Sequence, residues 1–157
     1  MGEMLSRAFT DIEVDVYRSL FAVRSHFEWC LDEALMAGCG IGFGDFEVLA
    51  ILGESADGSM RLSELAERTL LSRSALSRRI DSLCALGWVK RRSCPTDRRG
   101  TYAVITADGS EKLLTGLPIF HRVLRAELGS KLNRAELEEL SALLAHLDSA
   151  RCDGDRN

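Results

Sequence analysis

The segment 62–106 carries its own punctuation, and that punctuation leaves few ways to fold it. Ser63 is a good N-cap for a short helix over 64–69, with Leu65 and Ala66 facing inward. Leu70 and Leu71 make a connector, and Ser72 caps a second helix whose inward stripe is Leu76, Ile80, Leu83 and Gly87. The opposite face of that helix carries Ser74, Ser77, Arg78 and Asp81. Gly87 stops it, because glycine accepts the left-handed backbone on which helices end. Residues 88–93 read as a strand, 95–100 as a charged turn and 101–106 as a β-rich return strand. The unit is helix, helix, β-hairpin.

The sequence on either side is helical. Val16, Leu20, Val23, Phe27, Cys30 and Ala34 recur at alternating spacings of four and three, the seam of a long helix packed against other helices. Gly38, Gly40, Gly42 and Gly44 break that pattern into a loop. A second helix starts near Gly44, with Asp45 and Glu47 favourable in its first turn and a stripe of Phe46, Leu49, Ala50 and Gly53. A turn over 56–59 leads to a short strand of Met60, Arg61 and Leu62. Beyond the hairpin, Thr106 caps a helix with the stripe Leu113, Leu117, Phe120, Leu124 and Leu128, and Pro118 within it is expected to kink it. A last helix over 134–151 aligns Leu137, Leu140, Leu144 and Leu147, and 152–157 are expected to fray. The terminal helices carry more apolar seam than a small domain needs to cover itself, so a second copy is expected to cover the rest.

A net charge of −4 over 157 residues argues at first against a nucleic-acid partner, but distribution matters more than the sum. Arg68, Arg73, Arg78, Arg79, Lys90, Arg91, Arg92, Arg98 and Arg99 fall in one stretch, opposed there only by Asp81 and Asp97. In a helix-turn-helix, the N-terminal part of the second helix meets base edges in the major groove. Here that part offers Ser72, Arg73 and Ser74, then Ser77 and Arg78. Arginine pairs with both acceptors of guanine, and serine donates to bases or phosphates. The same face also reads as the solvated side of an amphipathic core helix, and the hairpin decides between the two. Its tip, Pro95-Thr96-Asp97-Arg98-Arg99-Gly100, is a basic wing whose arginines suit the negative potential of a narrow minor groove. Asp97 would repel phosphate, so its expected role is to hold Arg99 or the turn in place. The expected DNA-binding residues are therefore Ser72, Arg73, Ser74, Ser77, Arg78, Arg98 and Arg99, with Asp97 positioning the wing.

Other functional classes find little footing. There is no Gly-rich phosphate loop, no His-Glu-x-x-His and no nucleophile elbow, so no enzyme and no cofactor are expected. His26 and Cys30 share a helical face, but two ligands do not close a zinc site, and no metal is expected. The five cysteines are odd in number and widely spaced, which suggests neither a disulfide framework nor a zinc knuckle; most read as buried, inert thiols. No apolar stretch approaches the ~18 residues of a membrane span. The start of the chain lacks a signal-like apolar core, so a cytoplasmic protein is expected.

The stretches Phe46-Glu47-Val48-Leu49, Leu62-Ser63-Glu64-Leu65-Ala66, Leu71-Ser72-Arg73-Ser74-Ala75-Leu76-Ser77-Arg78, Leu86-Gly87-Trp88-Val89, Asp97-Arg98-Arg99 and Ile105-Thr106-Ala107-Asp108-Gly109 resemble the MarR family of regulators, in order and spacing. The resemblance is dense over 44–109. It implies a mainly α fold with a small β-hairpin wing, a winged helix-turn-helix between N- and C-terminal dimerisation helices. The corresponding divisions are 1–43, 44–109 and 110–157. It further implies a bacterial homodimer on a pseudo-palindromic operator in double-stranded DNA, acting as a repressor released by a small aromatic or anionic effector. Candidates for such a ligand are His26, Trp29, Phe46 and Arg79, each of which reads equally well as a core or surface side chain. Trp29, Glu47, Arg79 and Arg91 are loosely placed like the tryptophan, acid and arginines of the family's urate-responsive branch. The alternatives are a cysteine-based redox sensor of the same fold, using Cys30, Cys39 or Cys94, and a winged-helix protein-interaction module without DNA binding.

Overall fold

A computed structural model of the chain describes residues 11–69, 71–93 and 101–149. The chain divides into two compact units between Phe120 and His121. In the first, α1 (Ile12–Cys39) ends where Gly40 takes a φ of 65° and returns its N–H to the Met36 carbonyl. Only Leu31 and Leu35 of α1 are buried, close to its C-terminus. Val16, Leu20 and Val23 of the expected seam stand in solvent in the single chain. Leu31 and Leu35 of α1 join the core, and Gly38 lies against Ile119.

The next helix, α2 (Phe43–Glu54), has glycine at its cap position. Asp32 of α1 supplies what that glycine lacks: its Oδ1 accepts from the Phe43 N–H at 2.8 Å. Phe46, Val48, Leu49, Ile51 and Leu52 are all buried, a wider face than the stripe expected from sequence. The reason is that α2 is covered from several sides, by α1, α3, β1 and β3.

Strand β1 (Ser59–Arg61) runs directly into α3 (Leu62–Thr69). Leu62 is therefore the first helical residue, not the last of a strand, and Ser63 sits inside the first turn instead of capping it. The cap of α4 (Arg73–Ala85) is as expected, with Ser72 Oγ accepting from Ala75 N at 3.2 Å. Gly87, at a φ of 77°, reverses the chain into β2 (Val89–Ser93), which pairs antiparallel with β3 (Thr101–Ile105). β1 adds to the other edge of β3, giving a three-stranded sheet of order β1-β3-β2 in which Arg61, Tyr102 and Arg92 lie side by side.

Thr106 locks the base of this hairpin to α5 (Ala107–Leu124). Its hydroxyl donates to Gly87 O at 2.7 Å and accepts from Gly109 N at 3.0 Å. Helical structure continues through Pro118, so the missing N–H removes one hydrogen bond without ending the helix.

In the second unit, the end of α5 widens into a π turn over Arg125–Gly129. α6 (Arg134–Ser149) then starts on a reciprocal capping box: Asn133 N donates to Glu136 Oε2 at 2.8 Å, and Glu136 N to Asn133 Oδ1 at 3.1 Å. The tail over 152–157, expected to fray, lies outside the described residues. No single described helix is long and apolar enough to cross a membrane.

Candidate nucleic-acid interface

Burial of Leu65 and Ala66 on α3, and of Leu76, Ile80 and Leu83 on α4, fixes which face of α4 is left outward. That face begins with Ser72, Arg73 and Ser74, all exposed, and continues with half-buried Ser77 and exposed Arg78. Among the described residues, neither Arg73 nor Arg78 forms an ion pair. Ser72 does two jobs, since the oxygen that caps α4 also lies 3.2 Å from Ser74 Oγ.

Strand β2 of the wing carries Lys90, Arg91 and Arg92, all exposed. Alternation along β2 sends consecutive arginines to opposite faces of the sheet. Arg91 turns to α4, where its Nη2 donates to Asp81 Oδ1 at 2.7 Å and to Ser77 Oγ at 3.3 Å. On the other face, Arg92 and Arg61 each lie 5.4 Å from the Tyr102 ring centre, and Arg61 Nε donates to the Tyr102 hydroxyl at 3.1 Å. Arg92 also donates to Ser59 Oγ at 2.9 Å and faces Asp57 at 3.5 Å. The sequence alone does not assign partners to Arg61, Arg91 and Arg92. The period-two alternation of β2 was the available signal for their faces, but the partners depend on strand pairing. Asp97, Arg98 and Arg99, at the tip, lie outside the described residues, as does Cys94.

The residues expected to meet a small ligand are distributed differently. Phe46 is a core residue, 2% exposed, its ring centre 5.3 Å from that of Phe120. Trp29 is 63% exposed. Arg79 Nη1 donates to Asp45 Oδ1 at 2.9 Å, tying α4 to α2, and a Cβ on Gly44 would overlap its guanidinium. His26 is exposed, and its Nε2 lies 3.6 Å from Cys30 Sγ. Arg91 is bound to Ser77 and Asp81 of α4. Glu47 is half-buried, and that burial pushes its carboxyl above the ordinary range; Arg24 pulls it down, Glu28 raises it and Arg79 pulls it down. Cys30, Cys39 and Cys84 are half-buried, not enclosed as expected.

A profile of the MarR family matches residues 40–100. The chain is similar to the transcriptional repressor MprA of Escherichia coli, 34% identical over 119 residues that span 73% of this chain and 67% of MprA. It is also similar to the HTH-type transcriptional repressor YetL of Bacillus subtilis, 28% identical over 105 residues. That match spans 67% of this chain and 62% of YetL's length. Among solved structures, Sco3205, a MarR family transcriptional regulator from Streptomyces coelicolor in complex with DNA, superposes with a TM-score of 0.81 at 28% identity, covering 89% of each chain. The α3–α4 pair with Ser72 capping α4, the β2–β3 hairpin and these similarities lead to one assignment: the chain belongs to the MarR family of DNA-binding, winged helix-turn-helix transcriptional regulators.

Proposed function

We propose that this chain acts as a homodimeric repressor on a pseudo-palindromic operator. The start of each α4 lies in the major groove, and each hairpin tip in the adjacent minor groove. The observation that carries this reading is the pair Arg73 and Arg78, exposed and without ion pairs among the described residues, on a helix whose other face is buried. Two cations held ready on a rigid helix suit guanine edges or phosphates. Repression is supported by the similarity to MprA and YetL, both transcriptional repressors. Dimerisation is supported by apolar surface on two helices: Val16, Tyr17, Leu20 and Phe21 on α1, and Leu143, Leu144 and Leu147 on α6.

An effector that is small and aromatic or anionic extends the proposal. Its support is the exposed Trp29 indole and the Arg79 guanidinium, which links α2 to α4. We leave Phe46 out of that proposed site because its ring is enclosed in the core.

The test is selection of operator sequences from random duplexes, followed by footprinting at two salt concentrations. Two protected half-sites centred about 10 base pairs apart are expected, with affinity falling as salt rises. Leu20→Glu with Leu144→Glu should abolish both the dimer in sedimentation and operator binding. A single protected half-site, or a monomer that binds normally, refutes the docking.

A further inference from the structure

We propose that Arg91 is a positioning residue that sets the wing against the recognition helix α4 and turns the Ser77 hydroxyl outward as a hydrogen-bond donor. The proposal rests on the DNA reading above. Arg91 pairs in register with Ala103, which is buried, and stands two residues from buried Val89, so its stem leaves the inner face of the sheet. Its Nη2 reaches Asp81 Oδ1 at 2.7 Å, Ser77 Oγ at 3.3 Å and the Ser77 carbonyl at 3.4 Å. Ser77 and Asp81 are one helical turn apart on α4, so a single guanidinium fixes both the rotation of that helix and the approach of β2.

The chemistry of the bond decides what Ser77 can read. Arginine has donors and no acceptor, so the Ser77 oxygen accepts from it. Ser77's own proton finds no acceptor among the described residues. It is therefore free for an acceptor outside the chain: guanine O6 or N7, adenine N7, thymine O4 or a phosphate oxygen. The amino group of cytosine offers no acceptor in the major groove and would be disfavoured. Arg91 also balances Asp81, a carboxylate that would otherwise repel phosphate from the same face of α4. The pair is well exposed, so it contributes little to folding; its effect belongs to the complex.

The experiment compares Arg91→Met, Asp81→Ala, Ser77→Ala and the Arg91→Met/Asp81→Ala double variant on the operator selected by the wild type, with single base-pair substitutions along one half-site. Melting should shift by less than about 3 °C in each. Arg91→Met and Asp81→Ala should each lower affinity about 5-fold or more. Both should lose the base preference that Ser77→Ala loses, and the double variant should bind no worse than the weaker single one. Arg91→Gln, which keeps a shorter polar donor, gives the same comparison should Arg91→Met fail to fold. The proposal is overturned if Arg91→Met weakens all sequences equally and flattens the salt dependence by about one unit while Asp81→Ala tightens binding. That pattern would make Arg91 a plain phosphate contact. Unchanged affinity and preference in the variants overturn it too. A wild type that selects no sequence at all overturns instead the DNA reading beneath it.

Discussion

Gly116→Ala probes whether Phe46 is core or the wall of a ligand site. In α5, replacing an interior glycine by alanine would by itself stabilise the helix by about 1 kcal/mol. Packing opposes this. A Cβ at residue 116 would lie 2.8 Å from both Cδ2 and Cε2 of Phe46 and 3.3 Å from a methyl of Leu35. Carbon pairs settle near ~3.5–4.0 Å, so the ring must retreat by roughly 0.7 Å or more. It has little room to do so, since Phe46 is 2% exposed and leans on Phe120, and Leu35 is fully buried. Overpacking a dense core costs about 1–3 kcal/mol. The clash should therefore outweigh the helix gain, leaving a net loss of about 1 kcal/mol and a melting temperature lower by about 2–4 °C. Calorimetry at one fixed protein concentration checks this, because a dimer's melting depends on concentration. A melting temperature unchanged or raised would mean that the Phe46 ring yields freely. The argument that removes Phe46 from the effector site would then fail.

Three further outcomes are expected. Arg73→Ala and Arg78→Ala should each cost about 1–3 kcal/mol of operator affinity if they read a base, with relaxed preference at one position per half-site; uniform weakening across sequences would place them on phosphates. Arg99→Ala and Asp97→Ala should both weaken binding and be non-additive in a double-mutant cycle, since both act on one arginine's placement; Asp97→Ala tightening binding regardless of Arg99 would reduce Asp97 to a surface charge. Glu47→Gln should raise the melting temperature at neutral pH. Burial raises the folded carboxyl's pKa, so the stability gained on protonation is full below the ordinary glutamate value and lost as pH rises through the folded one. The benefit of glutamine should thus vanish in acid, and a benefit that persists there would contradict burial as the cause.

What was legible in the sequence was what local chemistry decides. Ser72, Gly87 and Thr106 act within a few residues of themselves, and each caps or stops the element expected of it. The α4 stripe of Leu76, Ile80 and Leu83 is buried as its periodicity required. What could not be read locally came from distant partners. Asp32 caps α2 from another helix, so α2 begins at Phe43 although its own cap residue is glycine. Phe46 looked as available as Trp29 because an aromatic residue in a helical stripe says nothing about what covers it; α5 covers one and leaves the other in solvent. The Asn133–Glu136 capping box is different: it is local, and its spacing is legible in the sequence.

The remaining puzzle is how a chain of net charge −4 presents a surface to DNA. In the first unit four acids are met by arginines: Asp81 by Arg91 at 2.7 Å, Glu54 by Arg68 at 2.7 Å, Asp45 by Arg79 at 2.9 Å and Asp57 by Arg92 at 3.5 Å. These arginines are therefore largely cancelled as sources of field, and the acids are too. What survives at the start of α4 is the charge of Arg73 and Arg78, which no described acid offsets. Counting cations between 68 and 99 thus overstates the basic patch, while the net charge understates it. The distinction has a consequence for salt dependence, which follows the cations that meet phosphate and not the cations present. The paired arginines should contribute little to the slope, and Arg73, Arg78 and the wing-tip arginines most of it. An interface built this way keeps nonspecific attraction low and leaves discrimination to the few groups that are positioned and unpaired.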